Sequence, residues 1–510
     1  MNPPGPGSAR RTVAVVLAAG LGTRMRSRTP KVLHPLCGRP MLAYVLDAAR
    51  SATGSDPLVV YSPATEAIVD VFAGLADFVL QQETRGTGDA VAAAMREVPE
   101  DAAEVLVVSG DVPRVEDETL LRLLEARRMD EAVLSLVAVD AVDPSGLGRV
   151  IRTSAGSVDR IVEEKDADED ERLVSDINAG LYAFDAAWLR DRIGSLRPSP
   201  ATGELYLTEL VGMARAEGRL VTALDVEDDG RLLGINDRAQ LAQAEWDLRT
   251  ELNLGHMRAG VTMEDPSTVY LDADVELASD VTLEPNVILR GRTRVGEGSV
   301  IGAGSRIVDS VVGRDSRVVA SVVESSTIGD HVTVGPFSHL RAGSVVEDDA
   351  QVGNFAEIKN SRIGRAVKSH HVSYLGDAEL GEGTNVGAGT ITANFDGVRK
   401  HRTTIGKRVF LGVDTMLRAP VTIGDGAKTG AGAVVTRDVP AGMLAVGVPA
   451  RVRPQRRAGE AEGGPPSAEE ARESSPEDVA ESSVEAAPES SPEAARESSP
   501  EAARESSPDG

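Results

Sequence analysis

From about Val269 onward the chain keeps a six-residue beat. Leu283, Leu289, Val295, Ile301 and Ile307 lie six apart, as do Ile328, Val334, Leu340, Val346, Val352 and Ile358, and then Ile405, Leu411, Leu417, Ile423, Thr429 and Val435. Glycine follows several of them directly, at Gly296, Gly302, Gly329 and Gly424. A helix repeats about every 3.6 residues and a lone strand every two or so, so neither keeps such a period. A β-helix does: each hexapeptide supplies one short strand, and its aliphatic residue stacks on that of the neighbouring coil. A sandwich of short strands would not hold an integer period through three separate runs. Composition agrees, with 51 glycines and only 3% aromatic residues among 510.

Residues 10–236 follow another rhythm. The apolar runs VAVVL, PLVVY, DFVLQQ and EVLVVSGD predict buried strands, and segments 41–52, 65–73 and 87–96 predict helices among them. Strands alternating with helices imply an α/β domain with a mostly parallel, Rossmann-like sheet wound on both faces. Segment 237–263 is rich in helix formers and predicts one long connecting helix, followed by a β-helix domain over 264–455. The remainder, 456–510, repeats ESSPEAAR-like units with little aliphatic bulk. Such a segment cannot bury enough surface to offset its ordering entropy, so it is expected to be disordered and to carry no catalysis.

Charge narrows the choice of ligand. The net charge is −26, and 15 acids against three arginines give residues 458–510 a net −12, leaving −14 for the rest. An acidic body argues against non-specific nucleic-acid binding, so any anionic ligand must meet local basic clusters. No run approaches the roughly 20 apolar residues needed to span a bilayer. Arg10 and Arg11 before the apolar residues 13–19 resemble a twin-arginine or secretory signal, but that run is short and breaks into Gly and Arg. Cys37 is the one cysteine. That excludes an internal disulfide and a thiolate-held zinc, and fits a reducing cytoplasm.

The stretch VVLAAGLGTRMRSRTPKVLHPLCGRPML, residues 15–42, carries the first chemistry. No GK[ST] follows its glycines, so it is not a Walker loop, and its GxG lacks the third glycine of a dinucleotide fingerprint. Gly20 and Gly22 let backbone N–H groups approach an oxyanion. Arg24 and Lys31 add positive charge beside them, making a cradle for a polyphosphate. Residues 104–110 predict a strand that delivers Asp111 to the carboxyl edge, where open α/β sheets hold ligands. A carboxylate there is a candidate Mg²⁺ ligand.

LAAGLGTRM followed by PKVLHPLCGRPML resembles the signature of sugar-1-phosphate nucleotidyltransferases. With a hexapeptide β-helix attached, residues 10–455 are similar throughout to the bacterial bifunctional N-acetylglucosamine-1-phosphate uridylyltransferase and glucosamine-1-phosphate N-acetyltransferase family. The resemblance implies a left-handed β-helix, a cytoplasmic homotrimer, UTP and acetyl-CoA as co-substrates, Mg²⁺, and UDP-N-acetylglucosamine as product, with no nucleic-acid or membrane partner. It implies that Leu17, Ala18, Ala19, Gly20 and Lys31 hold the nucleotide, and that Gln81, Gly86 and Thr87 in QQETRGTGDA read the uracil. Gly148 in DPSGLGRV, Glu163 in IVEEKD and Asn178 in DINAG would bind the N-acetylglucosamine part. Asp111 and Asn236, in SGD and GIND, would ligate Mg²⁺ beside the nucleotide. Arg24, Lys31 and the metal would neutralise charge as the sugar phosphate attacks UTP.

In KSHHVSYLGD two histidines adjoin, and the family pattern H-x-x-Y separates them: Tyr374 lies three residues after His371, whereas Ser373 follows His370 at that spacing. His371 would then be the general base, since an imidazole with a pKa near about 6.5 suits proton transfer at neutral pH. The resemblance further implies that Arg341 and Lys359 bind the glucosamine phosphate and that Tyr374 and Asn385 orient the sugar. Ala388, Asn394, Phe395, Val413, Ala431 and Arg451 would border acetyl-CoA. The family usually has Tyr where NFDG places Phe395 and Ser where FLGVDT places Val413, so each change removes a hydroxyl. A one-headed nucleotidyltransferase with a merely oligomerising β-helix would lack the His371, Tyr374 and Asn385 group. A scaffold acting through the acidic tail would not need Lys31, Asp111 and Asn236.

Overall fold

A computed structural model describes residues 10–455 of the chain; the tail expected to be disordered lies outside the described residues. The strand Thr12–Leu17 lies in the interior of the first sheet. Its side chains alternate into two apolar layers: Ala14 and Val16 pack with Leu106 and Val108, while Val15 packs with Val105 and Val107 on the other face. A strand covered on both faces must be apolar throughout, hence TVAVVL.

The strand order is Val221–Val226, Leu134–Asp140, Asp176–Asp185, Glu104–Ser109, Thr12–Leu17, Leu58–Tyr61, Asp77–Leu80. All neighbours run parallel except Asp176–Asp185, which opposes both its partners. Leu17 lies in register with Val60 and Ser109, so three strands end together. The glycine turn and Asp111 therefore emerge side by side.

Charge anchors the opposite end of this sheet. Glu104 is fully buried and accepts hydrogen bonds from Arg127, from Arg128 Nε at 2.9 Å and from the Thr12 hydroxyl at 2.9 Å. Burial pushes its carboxyl up, but the bonds from Arg128, Arg127 and Thr12 outweigh that and hold it at about 2.

The second half is a left-handed parallel β-helix of three sheets with 12, 10 and 9 strands. Leu283 pairs with Ile301 and Leu289 with Ile307, one coil of three hexapeptides apart. The interior column Leu289, Ile307, Val323, Leu340, Ile358, Leu375 is wholly buried. Thr429, which breaks the aliphatic series, satisfies its hydroxyl on Thr415 Oγ1 at 2.7 Å and the Gly412 N–H at 2.9 Å.

The gaps between the six-residue runs also have a cause. From Ile307 to Val312, Val318 to Val323, Val323 to Ile328 and Ile358 to Ile363 the spacing shortens to five. Each short corner turns through a single residue of positive φ: Asp309 at 47°, Ala320 at 42°, Ser325 at 43° and Asn360 at 47°. The coil closes equally well, and only the count in sequence slips.

The connecting helix spans Arg238–Arg258, with the Asp237 carboxylate accepting the N–H groups of Ala239 and Gln240. It ends before the predicted segment does, because Thr262–Met263 already pairs with Thr282–Leu283 as the first β-helix strand. Asn253 Nδ2 donates to the carbonyls of Pro266 at 2.9 Å and Val269 at 3.1 Å, fastening helix to first coil.

Glu104→Gln should cost about 3–5 kcal/mol at pH 7, the range for breaking a buried ion pair and leaving its partners uncompensated. Because the folded carboxyl sits near 2 and its ordinary value is 4.5, that contribution is complete above 4.5 and fades as pH falls toward 2. Urea unfolding followed by Trp188 fluorescence should therefore give a smaller gap between wild type and variant at pH 3 than at pH 7. An equal gap would show that the carboxylate is not what holds this end together.

Candidate active sites

Between the glycine turn and the helix Thr87–Ala94 opens a cleft of about 450 Å³. Leu17, Ala18, Ala19, Gly20, Lys31, Gln81, Gly86, Thr87 and Asp111 line it, joined by Glu204 and Tyr206. Gly22 has φ +57°, and a Cβ there would lie 2.6 Å from Lys31 Cβ, so glycine is what lets the lysine fold back over the turn.

At the cleft floor the Lys31 ammonium donates to Asp111 and, at 3.2 Å, to Asn236 Oδ1. Ser109 Oγ donates to the other oxygen of Asp111 at 2.8 Å. The Ile235 N–H donates to the Asp111 carbonyl at 2.9 Å, which brings the loop carrying Asn236 onto the strand end. Two hard oxygens thus converge on one cation position, a donor set that fits Mg²⁺. Among the described residues no three His, Cys, Asp or Glu gather into a metal cage. The remaining ligands would be phosphate oxygens and water.

Gln81 is buried, and its amide donates to Asp89 at 2.8 Å and to the Gly86 carbonyl at 3.2 Å. Sequence reasoning missed Asp89, whose only signal is its place in the first turn of the helix after GTG. Thr87 Oγ1 accepts the Leu207 N–H at 3.0 Å. Farther along, the Asn178 N–H donates to the Gly148 carbonyl at 2.9 Å, and Thr208 Oγ1 donates to Glu163 at 2.9 Å. Burial pushes the Glu163 carboxyl up, and Thr208 partly offsets this. Gly148, Glu163 and Asn178 are thus brought together. Arg24 is not part of the cleft lining: it sits exposed on the turn Thr23–Met25, pointing to no partner among the described residues.

On the β-helix, Arg341 lies in register with Lys359, and Tyr374 with Glu357. Arg341 donates to Glu357 at 2.8 Å. Lys400 touches Lys359 and pushes its ammonium below the usual lysine value, with Arg341 adding to the effect. Three cations therefore share one surface. Lys400 escaped sequence reasoning because it sits on a loop outside the six-residue pattern. Gly376 makes room beside them: a Cβ there would lie 2.4 Å from Tyr374 Oη and 2.8 Å from Asn394 Nδ2.

The adjacent histidines differ. His370 Nε2 is hydrogen-bonded to Gln351 Oε1 at 2.6 Å, whereas the exposed His371 ring has no side-chain partner among the described residues. His371 lies at the corner just before the strand Ser373–Gly376. Backbone bonds stack that corner on later coils, from Gly389 N–H to Val372 O, Asp414 N–H to Ala388 O and Gly432 N–H to Val413 O. Ala388, Val413 and Ala431 consequently follow His371 along one edge, and Asn385 pairs with Lys368 just before it. Asn394 is buried and donates to Asp377 at 2.5 Å. Phe395 begins the loop that carries Lys400, and Arg451 lies exposed at the start of the last strand, Arg451–Pro454.

A phosphate cradle on an α/β sheet, joined to a coil of hexapeptides with its own cation cluster, defines a nucleotidyltransferase domain fused to a hexapeptide acyltransferase. Comparison agrees: residues 14–174 match the MobA-like NTP transferase domain, and 325–360 and 402–437 match the bacterial transferase hexapeptide (six repeats). The chain is 45% identical over 436 residues to the bifunctional protein GlmU of Heliobacterium modesticaldum, covering 86% of this chain and 95% of that one. It is 47% identical over 446 residues to that of Leifsonia xyli (87% and 91%) and 42% over 443 to that of Mycobacterium tuberculosis (85% and 90%). The chain belongs to the bifunctional GlmU family.

Proposed function

We propose that the two halves carry out consecutive steps of UDP-N-acetylglucosamine synthesis: the β-helix acetylates glucosamine-1-phosphate with acetyl-CoA, and the α/β domain then transfers UMP from UTP to the product. The observation that carries this reading is that each half holds its own charge cluster, Lys31 with Asp111 and Asn236 in one, Arg341 with Lys359 and Lys400 in the other.

In the acetyl step the attacking amine must lose a proton as it bonds to the thioester carbonyl and CoA thiolate leaves. The ring of His371, hydrogen-bonded to no side chain among the described residues, would take that proton. The three cations would hold the sugar phosphate while Tyr374 and Asn385 set the amine. Ala388, Asn394, Phe395, Val413 and Ala431 would border the acetyl-CoA path, with Arg451 as a basic contact.

In the uridylyl step a phosphate oxygen of N-acetylglucosamine-1-phosphate attacks the α-phosphorus of UTP in line, and pyrophosphate leaves. Positioning and charge neutralisation dominate such chemistry. The turn backbone at Leu17, Ala18, Ala19 and Gly20 would cradle the phosphates, and Lys31 would turn its ammonium to them. Gln81, Gly86 and Thr87 would read the uracil, while Gly148, Glu163 and Asn178 would seat the sugar. Mg²⁺, when bound, would be held by Asp111 and Asn236 and would neutralise phosphate charge. Arg24 would reach the outer phosphates from the rim.

A homotrimer built through the β-helix fits the exposed apolar groups along its edge. Phe337 and Phe355 stack at 5.5 Å while 61% and 59% exposed, beside Val372 and Val413. No helix among the described residues is long and apolar enough to cross a membrane, and the small soluble substrates favour a cytoplasmic site of action.

The test supplies glucosamine-1-phosphate, acetyl-CoA, UTP and Mg²⁺ to the full chain and measures UDP-N-acetylglucosamine. Its absence, with either half-reaction missing, would overturn the two-headed reading. Lys31→Ala should lower uridylyl transfer at least about 10²-fold and leave acetyl transfer intact; a loss of both in a folded protein would contradict separate sites. Asp111→Ala should raise the Mg²⁺ concentration needed for half activity, and an unchanged titration would remove it from the metal site. His371→Ala should cut acetyl transfer by about 10²–10⁴, and His370→Ala far less. The reverse order would shift the site register by one residue.

A further inference from the structure

We infer that Asp396 and His401 form a clasp that positions Lys400 for the phosphate of the acetyl acceptor, an inference that rests on the reading of Arg341 and Lys359 as its phosphate site. Corners on this edge are otherwise short. One residue separates Ser373–Gly376 from Ala378–Leu380, and two separate Ala356–Lys359 from Arg362–Ile363. In the next coil nine residues, 394–402, intervene between Thr390–Ala393 and Thr403–Ile405. This excursion gains little from burial, since Phe395 and Val398 are 59% and 82% exposed.

Polar bonds order it instead. Phe395 and Lys400 form an antiparallel bridge, with the His401 N–H donating to the Asn394 carbonyl at 2.7 Å and the Asp396 N–H to the Arg399 carbonyl at 3.1 Å. The Asp396 carboxylate locks the turn from within. One oxygen accepts the N–H groups of Val398 at 2.8 Å and Arg399 at 2.6 Å, and the other bonds His401 Nε2 at 2.6 Å. Bonds from Arg399, His401 and Val398 hold this carboxyl at about 2, so it stays charged across the neutral range. Arg402 pairs with Glu379 at 3.3 Å. The bridge sets Lys400 opposite Phe395, next to Asn394, which packs against Gly376, and Gly376 is in register with Lys359, whose ammonium feels the charge of Lys400.

Lys400, Lys359 and Arg341 repel one another until an anion arrives. A loose loop would relieve that repulsion by carrying Lys400 into water, and binding would then have to order the loop. A clasped loop keeps the third cation in place beforehand, which favours substrate binding without touching the reacting amine.

The experiment measures acetyl transfer by the full chain. His401→Ala should raise KM for glucosamine-1-phosphate about tenfold, with kcat and KM for acetyl-CoA changing less than about twofold. His401→Gln, which keeps an N–H at similar reach, should restore most of the loss. Lys400→Ala should raise the same KM, and His401→Ala added to it should bring no further rise, because His401 acts through Lys400. Additive effects, or no effect of Lys400→Ala or His401→Ala on that KM, would overturn the clasp. Uridylyl transfer in the same variants reports that they are folded. A wild-type chain that fails to acetylate glucosamine-1-phosphate would instead overturn the functional reading beneath it.

Discussion

Two parallel strands send the chain the same way, so whatever follows one strand lies beside whatever follows the next. Both halves of this protein are built on that constraint. In the α/β sheet, Leu17 and Ser109 end in register, which sets the glycine turn next to Asp111 although about ninety residues part them. In the β-helix each coil repeats the arrangement one layer on, so corners become edges and strand ends become columns. Arg341 and Lys359 meet because their strands pair, and His371 heads the edge that continues through Ala388 and Val413. Antiparallel pairing would have scattered both sets.

The two charge clusters are poised differently. In the cleft Lys31 lies between the oxygens of Asp111 and Asn236, so its charge is already balanced. On the β-helix, Arg341 donates to Glu357, and Lys359 stands between Lys400 and Arg341, with the Asp377 carboxylate only partly offsetting their charge. That surplus sits on a body whose first 457 residues carry −14, so it is local by construction. Surplus positive charge held by a rigid scaffold is what an anion site requires. The rigidity comes from the buried aliphatic columns beneath it.

Sequence pattern and structure agree where one physical rule governs one spacing. The interior of a β-helix coil admits one aliphatic residue per side, so Leu283 to Ile307 read directly as strands. The rule fails at the five-residue corners around Asp309, Ala320 and Ser325, where the turn closes with one residue fewer and no composition rule marks the place. The helix limit differs for another reason: Val261 and Met263 suit a helix as well as a buried coil, and the pairing of Thr262 and Met263 with Thr282 and Leu283 decides. Local motifs point to Lys31, Asp111 and Asn236, yet nothing in the sequence states that the Lys31 ammonium bonds both other side chains. Lys400 and Asp89 were illegible, since one lies on an irregular loop and the other acts only by holding Gln81. The choice between His370 and His371 rests on a spacing pattern, and what the structure adds is that His370 is hydrogen-bonded to Gln351.

The departures at Phe395 and Val413 follow from the same division between backbone and side chain. Phe395 contributes to its loop through the bridge with Lys400, and Val413 to its corner through a carbonyl that accepts the Gly432 N–H. Neither contact uses the side chain, so the backbone route past the proposed acetyl-CoA path does not depend on which residue stands there. Both side chains are about half exposed or more, which leaves them facing solvent or a ligand rather than the core. Losing a hydroxyl at such a position removes a contact to whatever binds and leaves the coil unchanged. The fold is thus insulated from variation along this edge, because each coil is held from inside by aliphatic stacking and from neighbour to neighbour by backbone bonds.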